Sequence, residues 1–574
     1  MVCSRRLPWS GITALVLALA VLLAACGGAP AAPPAAEPTA APAAAATEAP
    51  AAAPTADAAA TGETAGPVAL DPNAVYGGTL TIGFVPTANV LDVNSLNQGS
   101  IQEIGQYYYE TLFDRDPNGE IINLLVADAQ VSADGLTHTW TVREGVTFHD
   151  GTPFDAEAVK YNLERKIELK QPLWDLIPVE SITVVDALTV EVQLTRPSPG
   201  IFNVLATKTF SIYSPTFAQA ASEEELKNSA VGTGPFIVEE FLPGEVLRLR
   251  KNENYWQTGL PYLDEVVFQV IPDVNARATA LEAGDVDVAM NISIPAIDEF
   301  RNNGDFTVID GNGSLQYYIT INNFLAPLDD VRVRQALNYA VDKQSMIDAI
   351  FLGRAQIADA VYINRTVNGY VSAGVYEYDQ DKARALLDEA GWVPGADGIR
   401  EKDGQRLSIS LYTRQGRSTG DIEIAEAVQG MLREVGVEMN LNILESAAFV
   451  PAVTVPKEES QYNTVNLTVG TFTGDAEYTM LTFYACDSAA PRYFNRAYYC
   501  DAETDALIQE SLAASTIEER NAIYEQVVKR VFDQAPIIQL FDGIESLAMA
   551  NTVQGVYFEG AGNNFPAKYA WKAE

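Results

Sequence analysis

The sequence predicts an α/β protein in which helices cover mostly parallel sheets, divided between two or three lobes. Segments that alternate apolar and polar residues, as half-buried strands do, recur between segments with the spacing of amphipathic helices. The chain beyond Pro72 has 574 − 72 = 502 residues, which is more than one hydrophobic core usually serves. After Ala25 no run is long and apolar enough to span a membrane.

The first 25 residues have the pattern of a secretory signal. Arg5 and Arg6 precede a run from Ile12 to Ala25 that is apolar apart from Thr13. The tetrapeptide LAAC that ends at Cys26 resembles the bacterial lipobox, and this resemblance implies that Cys26 becomes a lipidated mature N-terminus. The alternative is an ordinary cleaved signal with an incidental cysteine.

Residues 26–75 are predicted to form a disordered tether behind the lipidated cysteine. From Gly27 to Pro72 the chain is nearly all Ala, Pro, Thr, Gly and Glu, without aromatic residues, lysine or arginine. Such a segment has no core to bury. We therefore expect a folded body on the outer face of the cell membrane, or in the periplasm if a second membrane is present.

The charge of the chain argues against nucleic acid as a partner. The formal net charge is −39 and the chain contains only two histidines. Phosphate backbones require a basic face, which so acidic a protein does not offer.

The four cysteines include only two in the folded body, Cys486 and Cys500, and outside the cytoplasm we expect them to be joined. Two free thiols are the alternative.

The first half of the body is predicted to alternate strands with a helix. The segment GGTLTIGFV from Gly77 is the first strand, and residues 138–151 have the pattern of a hairpin with its turn at Glu144-Gly145. Residues 188–194 and 264–271 are further strands. A helix over 275–283 follows, which Gly284 can end.

Longer helices are predicted in the second half. Residues 331–351 keep apolar side chains near one face and indicate one amphipathic helix. Asp379 can cap the next helix, which Gly391 ends. Thr516 and Glu519 form a capping-box pattern before the last helix, and after Pro536 residues 537–541 form a closing strand.

Catalytic motifs are mostly missing from the sequence. There is no G-x-S-x-G elbow, no H-E-x-x-H or paired C-x-x-C zinc pattern, and no phosphate-binding loop. Asp114, Asp116 and Asn118 match the start of a calcium loop, but its twelfth position is Leu125 instead of a bidentate glutamate. We expect no metal, no cofactor and no catalytic residue. Carboxylate pairs are plentiful, so a glycosidase remains an alternative.

Six phrases, in order along the chain, resemble one family: the large substrate-binding proteins of ABC importers that include oligopeptide-, dipeptide- and nickel-binding members. The phrases are VREGVTFHDGTPFDAEAVKYNLER from Val142, VGTGPFIVEEF from Val231, NENYWQTGLPYLDEVVF from Asn252, ALEAGDVDVA from Ala280, DVRVRQALNYAVD from Asp330 and DKARALLDEAGW from Asp381. The resemblance covers nearly all of residues 76–574.

This resemblance implies a bilobal type II periplasmic-binding-protein fold with an extra subdomain in the first lobe, as in cluster C. We expect the first lobe at residues 76–322, with the extra subdomain at about 113–228. The second lobe is expected at residues 323–536, and residues 537–574 return to the first lobe. A solute is then enclosed where the two lobes meet.

The resemblance also indicates a binding site in the segment LTVGTFTGDAEYTML from Leu467. Peptide-binding members place a tryptophan and an aspartate here against the ligand, and Asp475 falls on that aspartate beside Gly474. A desolvated carboxylate suits the protonated amino terminus of a peptide. Phe472 replaces the tryptophan, Thr471 replaces a glycine, and Ala476-Glu477-Tyr478 replaces the usual acidic and proline residues. Dipeptide-binding members also carry a cysteine pair just after this aspartate.

In the first lobe, Tyr109 is an aromatic candidate for the same cleft. The sequence thus predicts a monomeric, non-catalytic receptor that is anchored by lipid, binds oligo- or dipeptides and delivers them to an ABC permease. An oligosaccharide or another organic solute is an alternative ligand within this fold, and nickel chelates are less expected with two histidines. A surface glycosidase and an adhesin or scaffold are alternatives of other classes.

Overall fold

The computed structural model describes residues 70–84, 90–92, 94, 104–169, 174, 176–311, 315–363, 365, 367–414, 420–470, 473–514, 516–558 and 565–573. Within these ranges, no helix combines the length and the apolar character that a membrane crossing requires. The described residues contain two large sheets and a four-stranded sheet, with helices between their strands. The predicted α/β class is confirmed, but the expectation of mostly parallel sheets is wrong. Two of the six strand pairs in the seven-stranded sheet and two of the five in the six-stranded sheet are parallel, and all three pairs of the four-stranded sheet are antiparallel.

The first large sheet has seven strands and is built around the first predicted strand. Its strands, in spatial order, are Phe306–Asp310, Ser546–Ala550, Val288–Met290, Thr79–Phe84, Glu265–Val270, Val246–Lys251 and Phe236–Leu242. Thr79–Phe84 runs parallel to both of its neighbours, whereas the outer pairs are antiparallel. Four of the six residues of Thr79–Phe84 are buried.

The second large sheet has six strands, in the order Ala355–Ile357, Ile537–Gly543, Leu315–Ile321, Thr464–Gly470, Ser408–Arg414 and Glu438–Leu444. The last three strands are mutually parallel, so their carboxyl ends meet at one edge of the sheet. In open α/β sheets, ligands bind outside such an edge.

The region of residues 113–228 carries its own sheet, and we call it the four-stranded-sheet region. The strands of this sheet, in spatial order, are Val126–Val131, Thr137–Val142, Thr189–Leu194 and Val179–Val184. Smaller sheets pair Phe113–Arg115 with Ile121–Asn123, Val393–Pro394 with Arg400–Lys402 and Gln405–Arg406, and Val553–Gln554 with Trp571–Lys572.

Helices cover these sheets. The α-helices are Ala156–Glu168, Ile201–Leu205, Pro215–Ala220, Glu223–Asn228, Val274–Ala283, Ile294–Arg301, Val331–Tyr339, Lys343–Phe351, Gln380–Glu389, Asp421–Glu434, Ser446–Val453, Ala476–Thr479, Ala502–Leu512 and Ile517–Gln534. Short 3₁₀ or π segments lie at Gly105–Tyr107, Lys208–Phe210, Lys457–Glu459, Met480–Tyr484, Cys486–Ser488 and Ala567–Tyr569. The caps expected at Gly284, Asp379 and Thr516 are confirmed.

Two of the predicted elements are wrong. The strand Thr137–Val142 does not turn back at Glu144-Gly145, because it pairs with Val126–Val131 on one side and with Thr189–Leu194 on the other. The single helix predicted over 331–351 is two helices. Asp342 breaks it, because its side chain accepts a hydrogen bond from the Ser345 amide and caps the second helix.

The chain passes between the two large sheets at residues 310–315 and again at 543–546. The strands Leu315–Ile321 and Ile537–Gly543 therefore belong to the six-stranded sheet, whereas the boundaries expected from the sequence assign both to the first lobe. Arg354 joins the two crossings, since its Nη2 atom lies 2.6 Å from Asp310 Oδ1 and 2.9 Å from Ser546 Oγ. The amide of Gly311 also donates to the Glu545 carbonyl oxygen at 2.8 Å.

Cys486 and Cys500 form a disulfide with a sequence separation of 14, as expected. Closing a loop of this size stabilises the fold by roughly 3 kcal/mol on the chain-entropy account. We expect the double substitution Cys486→Ser and Cys500→Ser to lower the free energy of unfolding by about this amount. Urea denaturation of the variant and of the oxidised wild type measures the difference. Equal midpoints would show that the bond does not constrain the unfolded chain.

Candidate ligand-binding site

Asp475 lies at the carboxyl edge of the six-stranded sheet, a few residues beyond the strand Thr464–Gly470. Its Oδ1 atom accepts a hydrogen bond from the Glu477 amide at 2.9 Å and so caps the short helix Ala476–Thr479. Asn368 holds the same residue from the other side, because its Nδ2 atom donates to Asp475 Oδ2 at 2.9 Å. The side chain of Asp475 is 1% exposed.

The carboxylate of Asp475 forms an ion pair with Arg520, whose Nη2 atom lies 2.6 Å from Oδ2. Arg520 Nη1 lies 3.3 Å from Glu477 Oε2, so one guanidinium serves two carboxylates. Burial alone would lower the pKa of Arg520, but Asp475, Tyr524 and Glu477 raise it above its ordinary value. The arginine therefore stays charged.

Glu477 is the second carboxylate of this cluster. Its side chain is 4% exposed, and Arg196 of the four-stranded-sheet region approaches Oε1 to 3.5 Å. Burial, followed by the charge of Asp475, raises the pKa of Glu477, while Arg520 and Arg196 act in the opposite direction. Two acids and the Arg520 guanidinium thus share one buried volume, and Arg196, whose side chain is 26% exposed, borders it.

Gly474 allows the chain to pass close to Arg115. It has φ +61, and a Cβ atom on this glycine would lie 2.8 Å from Arg115 Nη2. The same Nη2 atom donates to the Thr473 carbonyl oxygen at 2.5 Å. The left-handed backbone favours glycine here, and a Cβ atom would displace the Arg115 guanidinium from its present position.

The strand Thr464–Gly470 leads to Asp475. It pairs along its whole length with Leu315–Ile321, and its ladder with Ser408–Arg414 consists of Leu411 with Thr464 and Tyr412 with Val465. Asp475 thus lies beyond the carboxyl ends of parallel strands, where ligands bind in open α/β sheets.

Tyr109 lies elsewhere, in the apolar core of the seven-stranded sheet, and is 3% exposed. Its ring packs edge-on against Tyr108, with centroids 4.8 Å apart, and burial raises its pKa well above the ordinary value. A cavity of about 20 Å³ beside it is also lined by Glu110 and Lys568. A space of this size holds a water molecule, not a peptide.

The phrase VGTGPF fixes this part of the core. A Cβ atom on Gly232 would lie 2.1 Å from the Tyr108 carbonyl oxygen, so only glycine fits. His149 secures the loop, because its Nε2 atom lies 2.9 Å from the Gly234 carbonyl oxygen and its Nδ1 atom accepts from the Gly232 amide at 3.4 Å. Burial lowers the pKa of His149 to about 4, so the ring is neutral.

Of the predicted site residues, Gly474 and Asp475 lie together, and Tyr109 lies in the other sheet's core. Thr471, Phe472 and Cys26 lie outside the described residues. Sequence reasoning missed Arg520, Arg196 and Asn368. Arg520 carried a signal, because it stands on the buried stripe of its helix with Tyr524 and Val528, where an unpaired charge would be costly.

In the described ranges no group of acids, histidines or cysteines could hold a metal ion.

The sequence profile of the bacterial extracellular solute-binding proteins, family 5 Middle, matches residues 120–491. The glutathione-binding protein GsiB of Pectobacterium atrosepticum is 29% identical over 499 residues, which cover 86% of this chain and 93% of that protein. Among solved structures, the oligopeptide-binding protein AppA of Bacillus subtilis in complex with a nonapeptide aligns with a TM-score of 0.76 and 24% identity. That alignment covers 87% of this chain and 100% of AppA. NikA of Brucella suis, solved in complex with Fe(III)-EDTA, also aligns with a TM-score of 0.76, at 26% identity over 86% of this chain and 100% of that one.

The fold is that of a type II periplasmic binding protein with an extra subdomain, as expected. The chain belongs to the bacterial extracellular solute-binding proteins of family 5. It is a receptor that works outside the cytoplasm with an ABC permease and not an enzyme, so the glycosidase alternative is not retained.

Proposed function

We propose that this receptor is a lipid-anchored monomer that binds oligo- or dipeptides between its two lobes and delivers them to its permease. The observation that carries the choice of ligand is the buried carboxylate of Asp475, which lies just beyond the carboxyl ends of parallel strands. The ammonium group of a peptide pairs with such an acid. A neutral oligosaccharide has no cation to pair with it.

Two of the three relatives named above support the same ligand class. GsiB is named for glutathione and AppA was solved with a nonapeptide, whereas NikA was solved with Fe(III)-EDTA. Glutathione and a nonapeptide are both peptides. We therefore propose glutathione and short linear peptides as the first ligands to test.

The ion pair with Arg520 bears on how Asp475 binds a ligand. Asp475 Oδ2 already accepts from Arg520 and Asn368, whereas Oδ1 accepts from one backbone amide. A carboxylate oxygen accepts two hydrogen bonds, so Oδ1 retains capacity for an ammonium donor. We propose that the ligand amino group approaches Oδ1 when the site is accessible, while Arg520 remains in place.

The substitution Asp475→Asn tests this proposal. It keeps a good helix cap but removes the negative charge, so peptide affinity should fall by about 1.5 to 3 kcal/mol. The measurement is calorimetry with trialanine and with N-acetyl-trialanine. The wild type should prefer the free amine, and the variant should lose that preference.

Asp501→Asn is the matched control. Asp501 also caps a helix and pairs with an arginine, Arg530, but it lies outside the candidate site. This variant should keep the wild-type preference for a free amino group. An Asp475→Asn protein that still discriminates between the two peptides would reject Asp475 as the ammonium partner.

A further inference from the structure

Two arginines reach from the four-stranded-sheet region to the residues around Asp475. Arg115 Nη2 donates to the Thr473 carbonyl oxygen at 2.5 Å. Arg196 Nη1 donates to the Leu512 carbonyl oxygen at 3.2 Å, and its Nη2 atom lies 3.5 Å from Glu477 Oε1. Both arginines thus connect the lobe that contains the extra sheet to the six-stranded-sheet lobe.

The two arginines differ in what they contact. Arg115 faces a neutral carbonyl group, and Gly119 O and Asn203 Oδ1 hold its guanidinium at 3.0 and 2.8 Å. Arg196 faces a charged group. Arg520 contacts the Oε2 atom of the Glu477 carboxylate, and Arg196 lies near its Oε1 atom.

The same region also covers the carboxylates. Gly200 follows Arg196 closely, and a Cβ atom on it would lie 3.0 Å from both Glu477 Oε2 and Arg520 Nη1, and 3.6 Å from Asp475 Oδ2. Gly200 and Arg196 thus both lie against the buried carboxylates. A separation of the lobes would expose Glu477 and remove Arg196 together.

The charge of the cluster depends on this movement. Asp475, Glu477 and Arg520 together carry a net charge of −1 while they are solvated, and Arg196 brings the sum to zero as Gly200 covers them. If Arg196 were neutral, closure would bury one uncompensated negative charge. Burying an unpaired charge costs far more than leaving it in water.

We propose that Arg196 is a positioning residue that balances the charge of Glu477 on closure and thereby favours the closed form of the receptor. Ligand affinity then depends on Arg196 although this side chain need not touch the ligand, because apparent affinity scales with the population of the binding-competent form. The effect on affinity rests on the proposed function, whereas the effect on closure does not.

A double-mutant cycle with Arg196→Gln and Glu477→Gln tests this inference in the full-length, ligand-free protein. Small-angle X-ray scattering gives the radius of gyration, and hydrogen exchange reports on the amides of residues 473–479. Arg196→Gln should enlarge the protein and speed exchange. Adding Glu477→Gln should restore both, because no charge is then left to balance.

Two further variants separate charge balance from loss of contact. Arg115→Gln also removes a bond between the lobes, but Glu477→Gln should not rescue it, since Arg115 faces a carbonyl group. Arg165→Gln alters an exposed ion pair with Glu168 on a helix of the four-stranded-sheet region and should change nothing. Equal radii and exchange rates for the wild type and Arg196→Gln, or no rescue by Glu477→Gln, would overturn the inference.

Affinity provides the second measurement, with glutathione and trialanine as probes. Arg196→Gln should weaken binding by about five- to twentyfold, mainly through faster dissociation, and the double variant should lie within about twofold of Glu477→Gln alone. If neither probe binds the wild type, the proposed peptide function fails. Scattering and exchange still decide the role of Arg196 in that case.

Discussion

Replacing Arg520 by methionine should lower the free energy of unfolding by about 3 to 5 kcal/mol, because it leaves Asp475 and Glu477 buried without their shared cation. The Arg520 side chain is 1% exposed and contacts both carboxylates. Methionine fills a similar volume, so packing changes little. The urea midpoint of the transition that includes the six-stranded sheet is the measurement, with wild type and variant at the same pH.

Lys529→Met is the matched control on the same helix. Lys529 pairs with Asp533, but the two side chains are 73% and 57% exposed. Exposed pairs of this spacing contribute about 0.5 kcal/mol or less. If Arg520→Met were no more destabilising than Lys529→Met, the buried cluster would not contribute to stability.

The substitution Gly232→Ala should destabilise the first lobe by about 3 kcal/mol or more. The added methyl group would clash with backbone atoms, which cannot change rotamer to relieve the clash as a side chain can. The added methyl group would lie 2.1 Å from the Tyr108 carbonyl oxygen and 2.9 Å from Tyr109 Cα. Tyr109 should shift with the backbone. Thermal denaturation, together with near-ultraviolet circular dichroism of the tyrosines, measures both effects.

Gly430→Ala provides the opposite case. Gly430 lies in the exposed part of the helix Asp421–Glu434, and an added Cβ atom there meets nothing within 4 Å. Alanine should stabilise this helix by about 0.5 to 1 kcal/mol. A Gly232→Ala protein that melts with the wild type would mean that the loop of VGTGPF can withdraw from Tyr108.

The elements that the sequence predicts well are those that depend on near neighbours. Gly284 ends its helix in a left-handed conformation and Asp379 caps the next one, as their local patterns indicate. The hairpin predicted at 138–151 is wrong because Thr137–Val142 pairs with the preceding strand Val126–Val131 and with Thr189–Leu194, some fifty residues further along the chain. Alternation of apolar and polar residues indicates a strand but not its partner.

The candidate site shows the same difference between features set by near neighbours and features set by distant segments. The resemblance to known binding proteins picks out Gly474 and Asp475, which are neighbours in the chain, yet it does not indicate what holds them. Arg520 is 45 residues from Asp475 along the chain, and Arg196 comes from another sheet altogether. Such ion pairs depend on how distant segments pack against each other. The sequence indicates them only indirectly, by a charged residue on the apolar face of a helix, where it needs a partner of opposite charge.

The bridge made by Arg354 has a consequence for how the molecule opens. Because this side chain bonds to Asp310 and Ser546, at the two places where the chain changes sheets, it lies beside the pivot of any rotation between the halves. Atoms next to an axis travel least, so a swinging motion leaves these bonds intact while a sliding motion would break them. Arg354 therefore ties together the two segments that join the large sheets, and its contacts would resist a sliding of one sheet past the other.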